Sequence, residues 1–205
     1  MIPHRIRGVL FDLDGTLTKP GAIDFAAIKT EIQCPVEIPI LEYLVTLPPA
    51  LRVSFQGILE KREEEAAAVS LPNEGAEQCL LCLKARSIPF GVVTRNSLKA
   101  VGITLGRFKT ICLADFASVI TRENSLPKPH PGGVFQAAEQ MGVPVEALMF
   151  VGDYRFDILA GKAAGCCSVL LCNGREPVMK PDDPEPDHTV ARLEEILELL
   201  SNTSR

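Results

Sequence analysis

The sequence predicts an α/β fold with a mainly parallel sheet and a small all-helical segment inserted after the first strand. Three observations carry that prediction. Short apolar runs alternate with stretches of helical period along most of the chain. Several of these runs close on a polar residue, as strands do when their carboxyl ends border a ligand site. Residues 19–72 break the alternation with consecutive helical patterns and no strand.

Taken in order, residues 8–13 form the first apolar run, long enough for one buried strand. Asp24 can cap a helix bearing Phe25, Ile28 and Ile32 on one side. A second helical pattern holds Ile40, Leu41, Leu44 and Val45. A third holds Leu51, Phe55, Ile58 and Leu59 and continues into Glu63, Glu64 and Glu65, an acidic run expected to be a solvated face. Strands are then expected at residues 88–94, 110–114, 148–152 and 168–172, with a short last one around Thr189 and Val190. Helices are expected at 77–86, 97–105, 131–141, 157–164 and 193–200, with residues 201–205 as a fraying tail. Strands alternating with helices imply right-handed crossovers. The boundaries this gives are a core of residues 1–18 and 73–205 and an insertion of residues 19–72.

The 205 residues suit one domain of ordinary size, or a core with a small insertion, burying roughly 70% of the unfolded surface. A formal charge of −5 argues against a nucleic-acid footprint, which needs clustered Lys and Arg. No apolar stretch approaches the ~20 residues of a membrane helix, and His4, Arg5 and Arg7 precede an apolar run too short for a signal peptide. The expectation is a cytoplasmic protein with no membrane or nucleic-acid partner. Of its seven cysteines, Cys79 and Cys82 have the spacing of half a zinc site, but no second CxxC or His pair follows. Small, reduced core residues are the simpler reading.

The chemistry concentrates where apolar runs end. Asp12 and Asp14 close the first one, in Phe11-Asp12-Leu13-Asp14-Gly15-Thr16. Positions two apart on a strand share a face, and two carboxylates that close repel and are costly to bury. A cation, a shared proton or both would relieve them. Thr94 ends another run, and with Arg95 and Asn96 at the start of the next helix it can hold an anion. Lys128, between Pro127 and Pro129, is a stiffly held ammonium suited to an anionic group. Asp153 ends a further run, and Asp157 follows one helical turn later. Four acids converging on one sheet edge, offering only oxygen, suit Mg²⁺.

In this order the four clusters resemble the signature of the haloacid dehalogenase superfamily, over nearly the whole chain, and the insertion lies where that superfamily carries its helical C1 cap. The resemblance implies a Rossmann-like core and a Mg²⁺-dependent phosphatase similar to phosphoglycolate phosphatases, acting on a small phosphorylated metabolite. It implies Asp12 as nucleophile forming an aspartyl-phosphate, and Asp14 as general acid and then base. The metal would be held by Asp12, the Asp14 backbone carbonyl and Asp153, with Asp157 assisting. The phosphoryl oxygens would be gripped by Thr94 and Lys128, with Arg95 and Asn96 beside them. An acid two residues after the nucleophile separates phosphatases and phosphomutases from dehalogenases and ion-pumping ATPases. Two alternatives are a phosphomutase of the β-phosphoglucomutase type, disfavoured by the short insertion without a basic cluster, and a catalytically silent binding module, disfavoured because no essential acid is missing.

Overall fold

The computed structural model describes residues 6–177 and 179–202. His4, Arg5 and the end of the tail expected to fray lie outside them. Six parallel strands form one sheet: β1 (Gly8–Phe11), β2 (Phe90–Val93), β3 (Ser118–Ile120), β4 (Leu148–Gly152), β5 (Cys167–Leu171) and β6 (His188–Val190), in the order β3-β2-β1-β4-β5-β6. The chain runs outward from β1 to β3, then returns to pair β4 with the other side of β1. β1 therefore sits at the switch point, where doubly wound sheets open a crevice beyond their carboxyl ends.

Helices cover both faces because the central strands β1 and β4 are apolar on both. Val9 and Phe11 pack with Leu80 and Leu83 of α4 (Ala76–Ala85), Val101 of α5 (Leu98–Leu105) and Ile196 of α8 (Glu195–Asn202). Leu10 and Phe150 face the other way, onto Val134 and Ala137 of α6 (Gly132–Met141) and Ala160 of α7 (Arg155–Ala164). Full burial of such side chains stabilises by roughly 1.5–3 kcal/mol each, before entropy is counted.

Between β1 and β2 lie α1 (Phe25–Glu31), α2 (Ile40–Thr46) and α3 (Pro49–Val69). Asp24 caps α1 by accepting from the Ala27 N–H at 2.9 Å. Ile28, Ile32, Ile40, Leu44 and Leu59 form a cluster of their own, whereas Phe25 and Val45 are exposed. Both ends of the excursion meet. Thr18 forms an antiparallel bridge with Pro72, and the N–H groups of Lys19 and Asn73 donate to the carbonyls of Leu71 and Leu17 at 2.9 and 2.8 Å.

One expected strand is displaced. Residues 110–114 are not β: of them only Ile111 is buried, and Leu113–Asp115 is a single tight helical turn closed by the Cys112 N–H on Asp115. The third strand lies a few residues later, at Ser118–Ile120, where Ser118 pairs with Gly91. A Cβ on Gly91 would come within 2.9 Å of the Ser118 carbonyl oxygen, so the missing side chain permits that approach. No described helix is long and apolar enough to cross a membrane. All seven cysteines are free; Cys34, Cys79 and Cys166 are buried, and Cys112 is the exposed exception to the core reading.

Candidate active site

The carboxyl ends of β1, β2 and β4, with the segment after β3 that holds Lys128, carry the predicted polar residues to one place. Asp12 extends the ladder, its N–H donating to the Val151 carbonyl at 2.9 Å. The chain then turns tightly through Leu13–Leu17, with Gly15 at φ 80°. A side chain there would be strained, and its Cβ would stand 2.1 Å from Asp153 Oδ2. Gly152 is needed for a similar reason: a Cβ would lie 2.2 Å from Asp157 Cγ. Asp157 is held by the Tyr154 N–H, which donates to its Oδ2 at 3.1 Å.

Lys128 Nζ donates to Asp12 Oδ1 at 2.5 Å and to Asp157 Oδ1 at 2.6 Å, and the ammonium is only 3% exposed. Burial pulls its pKa down, but Asp12 and Asp157 outweigh that and hold it above the usual lysine range. One oxygen from each of Asp12, Asp153 and Asp157 lies within 4.8 Å of the others. Burial first, then the charges of Asp12 and Asp157, push Asp153 up to about 8. Asp157 is likewise raised by burial, but the Lys128 charge limits the rise to about 6. One ammonium therefore leaves this group of carboxylates with surplus negative charge. Three oxygen donors, two buried and one half-buried, with unrelieved repulsion fit a hard divalent cation such as Mg²⁺.

The Asp14 carboxylate is not part of that trio. Its Oδ2 accepts from Asn96 Nδ2 at 2.5 Å. Burial, then the nearby Asp12 charge, raise Asp14 to about 6, while the Asn96 bond lowers it. The Asn96 N–H donates to Thr94 Oγ1 at 3.2 Å, and both residues are buried. Arg95, expected beside the phosphoryl group, borders the cavity, but its guanidinium is engaged. It meets Glu42 of α2 with two bonds of 2.9 and 2.6 Å, donates to the Lys128 carbonyl, and stacks over Phe156 at 5.0 Å.

These residues floor a cavity of about 390 Å³ whose walls include Phe25, Ile40 and Leu59 of the inserted helices. Glu63 also lines it, and here the expectation of a solvated face fails: Glu63 is 4% exposed. It accepts two bonds from Arg122 Nη1, at 2.6 and 2.8 Å, and one from the Ser97 N–H at 3.4 Å. Burial, offset in part by Arg122, lifts its pKa to about 7. The signal was present in the spacing, since Leu59, Glu63 and Ala67, four apart, form the buried side of α3. Nothing comparable marks Glu42 or Arg122, whose partners are remote in sequence.

Residues 6–165 match the family described as haloacid dehalogenase-like hydrolase. The chain is similar to an uncharacterized hydrolase of Saccharomyces cerevisiae, 31% identical over 204 residues, covering 98% of this chain and 93% of the yeast protein. It is also similar to phosphoglycolate phosphatase of Escherichia coli K12, 29% identical over 236 residues, covering 95% and 92% respectively. The crystal structure of a predicted phosphoglycolate phosphatase from Haemophilus somnus has a TM-score of 0.73 at 22% identity, over 96% of this chain and 99% of that one, which shows a shared fold.

Proposed function

Because the chain belongs to the haloacid dehalogenase-like hydrolases, we propose that it is a Mg²⁺-dependent phosphatase hydrolysing a small phosphomonoester through an aspartyl-phosphate on Asp12. The observation that carries this reading is the buried meeting of Lys128 with Asp12 and Asp157, at 2.5 and 2.6 Å, on the floor of the cavity. Its similarity to phosphoglycolate phosphatases points the same way.

In this reading a carboxylate oxygen of Asp12 attacks phosphorus as the bond to the leaving oxygen breaks. Asp14, whose pKa of about 6 lets it carry a proton near neutrality, gives that proton to the leaving oxygen. It then takes one from the water that attacks the phosphorus of the acyl phosphate, restoring Asp12 and releasing phosphate. Asn96 keeps the Asp14 carboxylate aimed. Thr94 and Lys128 hold the phosphoryl oxygens, and Lys128 tempers the charge of Asp12. Mg²⁺ would be held by Asp12, Asp153 and the Asp14 backbone carbonyl, with Asp157 assisting, and would neutralise charge as one anion approaches another. Residues 19–72 serve as a cap over a core of residues 1–18 and 73–205, excluding bulk water and large substrates.

The test is Asp12→Asn assayed against a panel of phosphorylated metabolites with Mg²⁺. Phosphate release should fall roughly 10³-fold or more while the circular-dichroism spectrum is unchanged. Undiminished turnover would reject Asp12 as the nucleophile.

A further inference from the structure

Above the carboxylate floor, the wall of the cavity is carbon. Phe25, Val36, Ile40, Leu41, Leu59 and Phe156 line it. Charged groups also line it, and Lys29, Arg95 and Glu63 are each engaged within the protein. Lys29 Nζ donates to the Val36 carbonyl at 2.5 Å. Arg95 is bound at both Nη atoms by Glu42, at 2.9 and 2.6 Å. Glu63 takes both its oxygens to Arg122, at 2.6 and 2.8 Å. Glu37 is exposed.

A leaving group rich in hydroxyls, or carrying its own carboxylate, would give up water against Ile40 and Leu59, which are buried. It would meet few polar groups that are not already engaged or at the exposed rim with Phe25, Val36 and Tyr154. Leaving a buried polar group unpaired is costly, whereas each methylene moved from water onto these walls is favourable. We infer that the cavity takes the phosphate ester of a short apolar alcohol, a conclusion that rests on the phosphatase reading above and narrows its substrate class. The phosphoryl group lies against Thr94 and Lys128, and the hydrocarbon lies along Ile40, Leu41 and Leu59. Hydrolysis is the step already described: the P–O bond to the alcohol breaks, and the alcohol oxygen leaves with the proton of Asp14.

The test uses the full chain with Mg²⁺ and the series methyl, ethyl, propyl and butyl phosphate, whose leaving groups differ little in acidity. The specificity constant kcat/KM should rise about fourfold per methylene. Ethyl phosphate should exceed phosphoglycolate, and propyl phosphate should exceed glycerol phosphate, each pair matched in carbon number. Leu41→Ser, at a half-buried position, should flatten the series. The corresponding alkylphosphonates, which have no ester to hydrolyse, provide a binding readout, and their inhibition or dissociation constants should tighten along the same series. Release that is flat or falling with chain length, or that favours phosphoglycolate or glycerol phosphate, would overturn the apolar assignment even though the enzyme is a phosphatase. Phosphonate affinity that rises with chain length, with no release from any ester, would support the apolar pocket and overturn the phosphatase reading instead.

Discussion

Asp14 shows how far residue-level reasoning reaches. Charges that interrupt apolar runs are conspicuous, so Asp12, Asp14, Asp153 and Asp157 stood out from the sequence, as did Lys128 between prolines. Their partners did not. Asn96, 82 positions from Asp14, holds its carboxylate, and no local pattern pairs the two. That bond favours the charged form, so removing it should let Asp14 keep its proton to higher pH. Asn96→Ala should therefore move the alkaline limb of the kcat–pH profile upward by about one unit, the equivalent of losing a hydrogen bond to a charged group worth about 1.5 kcal/mol. A limb that stays in place, or moves down, would disconnect Asn96 from the proton donor.

At the scale of elements, strands and helices with strong periodicity were legible, and β4, α5 and α6 begin and end within a residue or so of expectation. The third strand was not, because three residues closing on polar Thr121 and Arg122 give no alternation to read. The long helix α3 misled in a different way: its acidic run mixes one buried carboxylate with two more solvated ones. Glu63 and Arg122 join α3 to the segment carrying Arg95 and Asn96, since Arg122 Nη1 also donates to the Arg95 carbonyl at 3.1 Å. Arg122→Met should cost about 3–5 kcal/mol at pH 8, where Glu63 loses its counter-ion and must either stay charged and unpaired or take up a proton from solvent. The cost should be smaller at pH 5.5. Glu63 titrates near 7 with Arg122 present and higher without it, so below that point a proton replaces the missing cation. Urea denaturation at both pH values checks the sign, and an equal loss at both would contradict it.

For the whole molecule, a mainly parallel sheet was predictable, and it accounts for the gathering of acids at one edge. The strand order, with β1 at the centre, was not legible, because local periodicity does not encode which strands are neighbours. Crowding the acids has a cost that depends on pH. Folded Asp14 and Asp157 titrate near 6 and Asp153 near 8, all above the ordinary 3.8. The stability they lend is full below that ordinary value and is lost as pH rises through 6 and 8. Bound as proposed, Mg²⁺ would compete with those protons, so it should raise the Tm more at pH 8 than at pH 5.5. At a hundredfold excess over Kd the gain at pH 8 is about 2.7 kcal/mol, or about 5–10 °C in a thermal melt. A larger gain at pH 5.5 would remove the carboxylates as the binding groups. The Thr18–Pro72 bridge has a consequence of another kind. Because the excursion leaves and rejoins the sheet through a single doorway, its size is nearly independent of the scaffold beneath it. Doubling its length would add only about 0.6 kcal/mol of closure entropy. Selectivity can thus drift by lengthening, trimming or exchanging that module while the hydrolytic floor keeps its register.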